Sequence, residues 1–392
     1  EKYPDSKWVD DAFFLLARSK FLKGEIISAK EKFSELIEKF PSSEYVDEAN
    51  LWILFSDIHL LKFDDFDERI NEVKRKQLSN SNRFLLNKIN AEYFKKNNNL
   101  DSCYFYYLNA LNYSDNHSQK ISVYSNLALI SSDNKDYARS IDFIDILEDL
   151  SKNNDRVELG IRKIEFYKKL NKFDQLILEI PMMLDSEEFK SKKLYLELEL
   201  AKAYMNKGDF SQAKEYFVEI TDNNQKKDET AESFYWLGMM SIKENFDLIL
   251  ADDYFEKSKV DKSSSRYGRE SKDILTMLSK YDKLVEMYSN SLKSIKGSDS
   301  LNIELNENMT IHSYNSADSI YMMMIDMMNF DFGRIDKAVD EYKKFVKIYN
   351  HSKYLAQVYY ILSIHDSSNW QLKIDKEFPN SKYSTFSRKE KN

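Results

Sequence analysis

The fold is decided by residues 10–45, which contain two apolar helical patterns separated by a glycine. In sequence order, the diagnostic residues are Ala12-Phe13-Phe14-Leu15-Leu16-Ala17, Gly24, Ala29, Phe33, Leu36 and Phe40-Pro41. Small residues occur where two helices would come close, and large apolar residues lie one helical turn away. Gly24 suits a left-handed turn, and Pro41 cannot continue a helix. The stretch therefore predicts a helix-turn-helix hairpin.

Variants of this pattern recur along the whole sequence. Their order and spacing resemble the tetratricopeptide repeat (TPR), a hairpin unit with a period of about 34 residues. The copy at residues 194–220 is the clearest, with Ala201, Gly208 and Ala213 at corresponding places. In other copies Asn97-Asn98-Asn99 takes the place of the glycine, or the small residues are missing. The resemblance implies an all-α TPR solenoid, a right-handed superhelix of about nine partly degenerate repeats.

The periodicity predicts three regions. We expect residues 1–290 to form an array of about eight repeats, the last a short unit at residues 268–288, and residues 316–392 to form further TPR units. Residues 291–315 interrupt the array, because they are rich in Ser and Asn and alternate apolar residues at Leu301, Ile303 and Leu305. Two interpretations stay open for this segment, a loop or small insertion and a β-hairpin.

Five methionines cluster in the C-terminal region, at Met322-Met323-Met324, Met327 and Met328. At helical spacing they cannot all lie on one side of a helix. They either pack in the core and between repeats or form an adaptable binding surface.

Composition and motifs argue against several function classes. The net charge is −8 and no basic stripe persists, which disfavours nucleic acid as a partner. The five histidines lack metal-ligand spacing, the seven glycines form no phosphate loop, and Cys103 lies at a small, packed position. We therefore predict no catalytic, metal or cofactor site, and no enzyme activity. No apolar run is long enough to span a membrane.

The TPR resemblance implies a non-enzymatic scaffold for protein partners. In such arrays the first helix of each unit lines a concave surface. Aromatic residues and methionines beside a cation suit a peptide with acidic character or a free carboxylate. The candidate contacts from the first and sixth units are Phe14, Arg18, Phe21, Tyr195, Lys202 and Met205.

Repeat junctions carry a second resemblance. The motif aromatic-Pro-x-Ser-x-aromatic occurs at residues 40–45 and 378–383, and a variant without Pro occurs at 349–354. With the composition rich in Lys and Asn, it resembles bacterial envelope TPR lipoproteins, such as that of the outer-membrane β-barrel assembly machine. The resemblance implies a periplasmic subunit or assembly factor of an envelope complex, with other envelope proteins as partners. It also implies a possible lipid anchor on the outer membrane, upstream of Glu1.

Residues 3–8 match this junction motif too, so we expect the sequence to begin at the end of a repeat, with further sequence removed upstream. Two further functions stay open. One is a cytoplasmic TPR adaptor or co-chaperone that captures peptide segments. The other is a binding module attached to a catalytic domain that lies upstream.

Overall fold

The computed structural model describes residues 8–152, 154–299, 307–366 and 368–384, and these residues form helices and connecting turns without any β-strand. The predicted all-α, hairpin-repeat fold is confirmed. Residues 8–176 contain α1 (Val9–Leu22), α2 (Ile26–Lys39), α3 (Val46–His59), α4 (Phe66–Lys74), α5 (Asn80–Lys96), α6 (Leu100–Leu111), α7 (His117–Asp133), α8 (Tyr137–Leu150), α9 (Asn154–Lys169) and the start of α10 (Phe173–Leu184). The remaining helices are α11 (Lys193–Lys207), α12 (Phe210–Asn223), α13 (Asp228–Asn245), α14 (Leu248–Asp261), α15 (Arg266–Asp299), α16 (Glu307–Asp326), α17 (Ile335–Ile348), α18 (Leu355–His365) and α19 (Trp370–Glu377).

The protein divides into two compact units, residues 1–176 and 177–392, and the boundary falls within α10. In the first unit α1/α2, α5/α6 and α7/α8 pack as hairpins, and α3 precedes the shorter α4. In the second unit α11/α12, α13/α14, α16/α17 and α18/α19 pack in the same way. The predicted division at residues 290 and 315 stays a prediction.

At least one turn residue in each of eight hairpins has a positive φ angle, whether or not it is glycine. Asn98 and Lys135 adopt the same left-handed conformation as Gly24 and Gly208. The turn residues are Gly24, Leu61, Asn98, Lys135, Asn171, Gly208, Phe246 and Gly333. Each turn residue therefore fixes a register from which equivalent positions in different hairpins can be counted.

Small side chains allow the two helices of a hairpin to approach. Ala17 and Ala29 are fully buried in the first hairpin, as are Ala201 and Ala213 in the clearest copy. In the α13/α14 hairpin a Cβ atom at Gly238 would lie 2.8 Å from the ring of Phe255. The positions predicted to be small are thus the positions where the helices touch.

The structure differs from the prediction for residues 268–288. The unit expected at residues 268–288 is part of the single helix α15, which packs against α14 and α16. Residues 291–299 belong to α15 and residues 307–315 to α16, so the described part of this segment is helical, and the loop or β-hairpin expected there stays a prediction. Leu301, Ile303 and Leu305 lie outside the described residues. Ser and Asn are tolerated in these helices because apolar residues such as Leu284 and Ile320 supply a buried face.

The repeat junction holds the N-terminal turn of the first helix. Ser43 Oγ donates a hydrogen bond to Asp10 Oδ2 at 2.7 Å, and the Tyr45 hydroxyl donates to Asp11 Oδ1 at 2.8 Å. The Tyr45 ring stacks on Phe14 with centroids 4.6 Å apart. The motif therefore joins the end of one hairpin to the start of its own first helix.

The junction at residues 349–354 repeats this arrangement with a buried acceptor. Ser352 Oγ donates to Asp318 Oδ2, and the Tyr354 hydroxyl donates to Ser319 Oγ at 3.3 Å. Asp318 is fully buried, and its other oxygen accepts a long hydrogen bond of 3.4 Å from Ser319. The same serine position thus satisfies a buried carboxylate here and an accessible one in the first hairpin.

We predict that Ser352→Ala lowers the free energy of unfolding by about 1–3 kcal/mol, because it leaves a buried carboxylate oxygen without its donor. Ser43→Ala is the matched control, and we expect it to cost less than about 1 kcal/mol because water can replace the lost donor. Chemical denaturation of both variants, followed by hydrogen exchange in α16 and α18, measures the difference. Equal losses would contradict the assigned role of the buried pair.

Candidate functional site

The first helices of successive hairpins lie side by side within each unit. Helices α1, α3 and α5 contact one another in sequence in the first unit, and α11, α13 and α15 do so in the second. A hydrogen bond between Lys88 and Ser122 joins α5 to α7. We call the exposed side of α1, α3, α5 and α7 in the first unit, and of α11, α13 and α15 in the second, the first-helix face.

Two of the predicted contact residues are not on this surface. Phe14 is 3% exposed and packs edge-on against Phe33, and Phe21 is 8% exposed and packs against Trp52. Both side chains fill the space between α1 and its neighbouring helices. The prediction that they contact a partner is therefore corrected: they are core residues.

Arg18 is exposed, and its guanidinium carbon lies 5.8 Å from the centroid of the Trp52 ring. The Trp52 indole donates a hydrogen bond to Glu48 at 3.1 Å. Arg18 thus lies on the first-helix face over an aromatic ring, and its contact with a partner stays a prediction.

In the second unit Tyr195, Lys202 and Met205 are each partly buried on α11. Lys202 Nζ lies 2.8 Å from Glu199 Oε1 and 3.0 Å from Glu232 Oε1. Burial alone would lower the pKa of Lys202, but the two carboxylates outweigh burial and raise it above its ordinary value. Lys202 therefore forms ion pairs with two carboxylates of the protein itself.

Aromatic side chains surround this ion cluster. The Trp236 indole donates to Glu232 Oε1 at 3.2 Å, and Tyr267 lies 6.2 Å from Trp236 between ring centroids. Burial first, and then the charge of Glu232, raises the pKa of Tyr267 to about 12. Two carboxylates face one ammonium here, so the predicted preference for an acidic peptide does not follow from Lys202.

Lys88 on α5 differs from Lys202. Its ammonium donates to Ser122 Oγ at 3.0 Å, and this neutral hydroxyl is its only side-chain partner among the described residues. Burial lowers the pKa of Lys88 below its ordinary value, and the charge of Glu92 only partly opposes that shift. Among the described residues, Lys88 is thus a half-buried cation of the first-helix face that is hydrogen-bonded to a hydroxyl and not to a carboxylate.

Glu92 lies one helical turn after Lys88 on α5 and is the carboxylate whose charge acts on it. Glu92 accepts a hydrogen bond from the hydroxyl of Tyr107, a fully buried residue of α6. On α7, Leu129 lies two helical turns after Ser122, on the same side of the helix, and is 42% exposed. We call Lys88, Glu92, Ser122 and Leu129 the Lys88 site.

Sequence reasoning missed Lys88, although the repeat register contains a signal for it. Lys88 lies ten residues before its turn residue, Asn98, as Phe14 does before Gly24 and Leu198 before Gly208. Phe14 and Leu198 are apolar and buried. Ser125 of α7 and Met323 of α16 are exposed at the same position, so the signal is a lysine where the hairpins of α1, α3 and α11 have a buried apolar side chain.

The methionine cluster divides between the two interpretations. Met322, Met324 and Met327 are buried in the core of the second unit, whereas Met323 is 48% exposed. Residues 327–331 form a π-helical turn, within which Phe330 is exposed. Most of the cluster is core, and Met323 belongs to the surface.

Cys103 packs as predicted for a small core position. Its side chain is fully buried, and burial raises the pKa of its thiol to about 12. Within the described ranges no group of His, Cys, Asp and Glu could hold a metal ion. None of the described helices combines the length and apolarity that crossing a membrane requires.

Residues 11–43 match the sequence model of the tetratricopeptide repeat family. The first hairpin is therefore a tetratricopeptide repeat, and the later hairpins share its helix-turn-helix construction. No curated protein matches the sequence.

Several solved structures are similar. The C-terminal part of a TPR repeat-containing protein from Cytophaga hutchinsonii is 15% identical over 66% of this chain and 98% of its own, with a TM-score of 0.45. The quorum sensor NprR from B. thuringiensis is 14% identical over 86% and 98%, with a TM-score of 0.35. Pseudomonas aeruginosa pilF is 16% identical over 67% and 96%, with a TM-score of 0.31. Similarity at this level carries no functional inference.

We predict that Lys88→Met leaves the free energy of unfolding unchanged or raises it by up to about 1 kcal/mol, because it removes a half-buried charge that lacks a carboxylate. Lys163 is the matched control. It is also buried, but its ammonium lies 2.7 Å from Asp145 Oδ1 and 3.7 Å from Glu148 Oε2.

We expect Lys163→Met to cost about 1–3 kcal/mol, because it breaks both ion pairs. Urea denaturation of the two variants measures the contrast. A loss for Lys88→Met as large as that for Lys163→Met would show that Lys88 stabilises the fold rather than serving a partner.

Proposed function

We propose that this protein is a non-enzymatic interaction scaffold that holds an acidic segment of a partner protein on the first-helix face, with Lys88 as its anchoring cation. The observation that carries the proposal is the single neutral partner of the Lys88 ammonium among the described residues. Taking a charge partly out of water without a carboxylate is unfavourable, and a bound carboxylate removes that penalty. Binding of a partner carboxylate therefore stabilises the ammonium of Lys88.

The Lys88 site also defines what the partner must present. A carboxylate, from Asp, Glu or a free C-terminus, pairs with Lys88 beside Ser122. An apolar side chain at the matching distance packs on the exposed part of Leu129. The proposed partner segment is therefore acidic with a neighbouring apolar residue. The expected ligand is still an acidic peptide, but the cation that binds it is Lys88 and not Lys202.

A library of random peptides, each about 12 residues long, tests this specificity. A peptide of that length spans the two helical turns between Ser122 and Leu129 and leaves room for flanking contacts. We expect the wild-type protein to enrich peptides with acidic residues or a free C-terminal carboxylate. We expect Lys88→Met to lower the affinity for those peptides by about tenfold or more, which corresponds to the loss of one charge-assisted pair.

Lys96→Met is the matched control, because Lys96 is exposed and lies about two turns further along the same helix. We expect it to bind the enriched peptides within about twofold of wild type, since exposed charges contribute little. Equal affinity of the Lys88→Met variant and wild type for the acidic peptides would overturn the proposal, as would enrichment of basic peptides.

We propose further that the scaffold works in a bacterial envelope, as a periplasmic subunit or assembly factor held at the outer membrane by a lipid. The support is the junction motif at residues 40–45 and 378–383, which resembles that of envelope TPR lipoproteins. Cell fractionation with mass spectrometry of the mature N-terminus tests this location. An acylated N-terminal cysteine in the outer-membrane fraction is the expected result. A cytoplasmic product with an unprocessed start would favour the adaptor alternative.

A further inference from the structure

Helix α1 carries an apolar stripe that no described residue covers. Leu15 is 61% exposed, Leu16 47% and Leu22 72%, and Ala12 and Ser19 are exposed beside them. Their spacing places all five on one side of the helix. The opposite side, with Phe14, Ala17 and Phe21, is buried. Helix α1 is therefore apolar on both sides, as expected for a helix between two partners.

The following hairpin shows what this stripe does when it is covered. Counted back from the turn residues Gly24 and Leu61, the residues Ala12, Leu15, Leu16 and Ser19 of α1 correspond to four residues of α3. These are Ala49, Trp52, Ile53 and Ser56. The residue types match closely: alanine with alanine, leucine with tryptophan, leucine with isoleucine, and serine with serine.

These equivalent residues differ in their environment. Ala49 and Ser56 are fully buried and Trp52 is 8% exposed. The partner that covers them is α2, the second helix of the preceding hairpin, which packs against α3 and brings Phe33 parallel to Trp52 at 6.0 Å. Helix α1 thus has an interface sequence like that of α3, and within the described residues no helix covers it.

Helix α13 shows that this is a general interface of the fold. Leu237 and Ser241 occupy the positions of Leu15 and Ser19 relative to the turn residue Phe246, and both are buried. The covering element is again the preceding second helix, α12. The stripe on α1 therefore continues an interface that the protein forms elsewhere.

We propose that the stripe of Ala12, Leu15, Leu16, Ser19 and Leu22 is the docking surface for the second helix of another hairpin of this class, supplied by the same polypeptide ahead of α1. The sequence immediately before α1 supports this occupant. Residues 3–8 repeat the motif of residues 40–45, which follows α2 and precedes α3. The motif that links a second helix to the next first helix thus also stands ahead of α1.

Cysteine labelling tests the proposal, because the single cysteine of the sequence, Cys103, is buried and gives a low background. Ser19→Cys is the probe. Ser34→Cys on α2 is the exposed reference, and Ser56→Cys is the buried reference at the equivalent position. The alkylation rate of each variant is measured in the 392-residue protein and in the complete natural product of the gene.

In the 392-residue protein we expect Ser19→Cys to react as fast as Ser34→Cys. In the natural product it is expected to react about tenfold or more slowly, near the rate of Ser56→Cys, because a covered thiol reacts only after local opening. Adding Leu15→Glu to the natural product should restore fast labelling.

Fast labelling of Ser19→Cys in the natural product would overturn the proposal. Protection in the 392-residue protein that increases with protein concentration would also overturn it, because a second copy would then be the occupant.

Discussion

The close approach of helices at small side chains is the constraint on which this structure depends. A single hairpin cannot bury both sides of its first helix. The first helix therefore packs against the second helix of its own hairpin on one side and against the second helix of the preceding hairpin on the other. The fully buried Ala17 and Ala29 set the distance between α1 and α2 of the first hairpin. Ala49 and Ser56 set the distance between α3 and α2 of the preceding hairpin. Larger side chains at these positions would separate the helices and expose the aromatic core behind them.

The turns fix which positions of each first helix pack against neighbouring helices and which are available to a partner. Charged groups of the first-helix face can be paired within the protein, as Lys202 is by Glu199 and Glu232. Lys88 occupies a position at which the hairpins of α1, α3 and α11 bury an apolar side chain, and its neighbour is a serine. One substitution in a repeat register can therefore turn a packing position into a recognition site without changing the fold.

The sequence was sufficient for the helix-turn-helix unit, because small residues and turn residues have fixed spacing. It was insufficient where helices continue through polar sequence, as α15 does beyond residue 290, since a turn needs more than the presence of Ser and Asn. Phe14 and Phe21 were predicted to be surface residues because the register of α1 does not show that α2 packs on Phe14 and α3 on Phe21. Lys88 was overlooked because a lysine on a charged helix looks ordinary until equivalent hairpins are compared.

The pKa of Lys88 tests the central claim most directly, and it can be measured by NMR of the lysine Cε in the free protein and with a saturating acidic peptide. The account predicts a pKa below the ordinary value of 10.5 in the free protein, because burial disfavours the ammonium. It predicts a rise on binding, because a carboxylate stabilises the charged form. An ordinary value in the free protein, or no change at saturation, would contradict it.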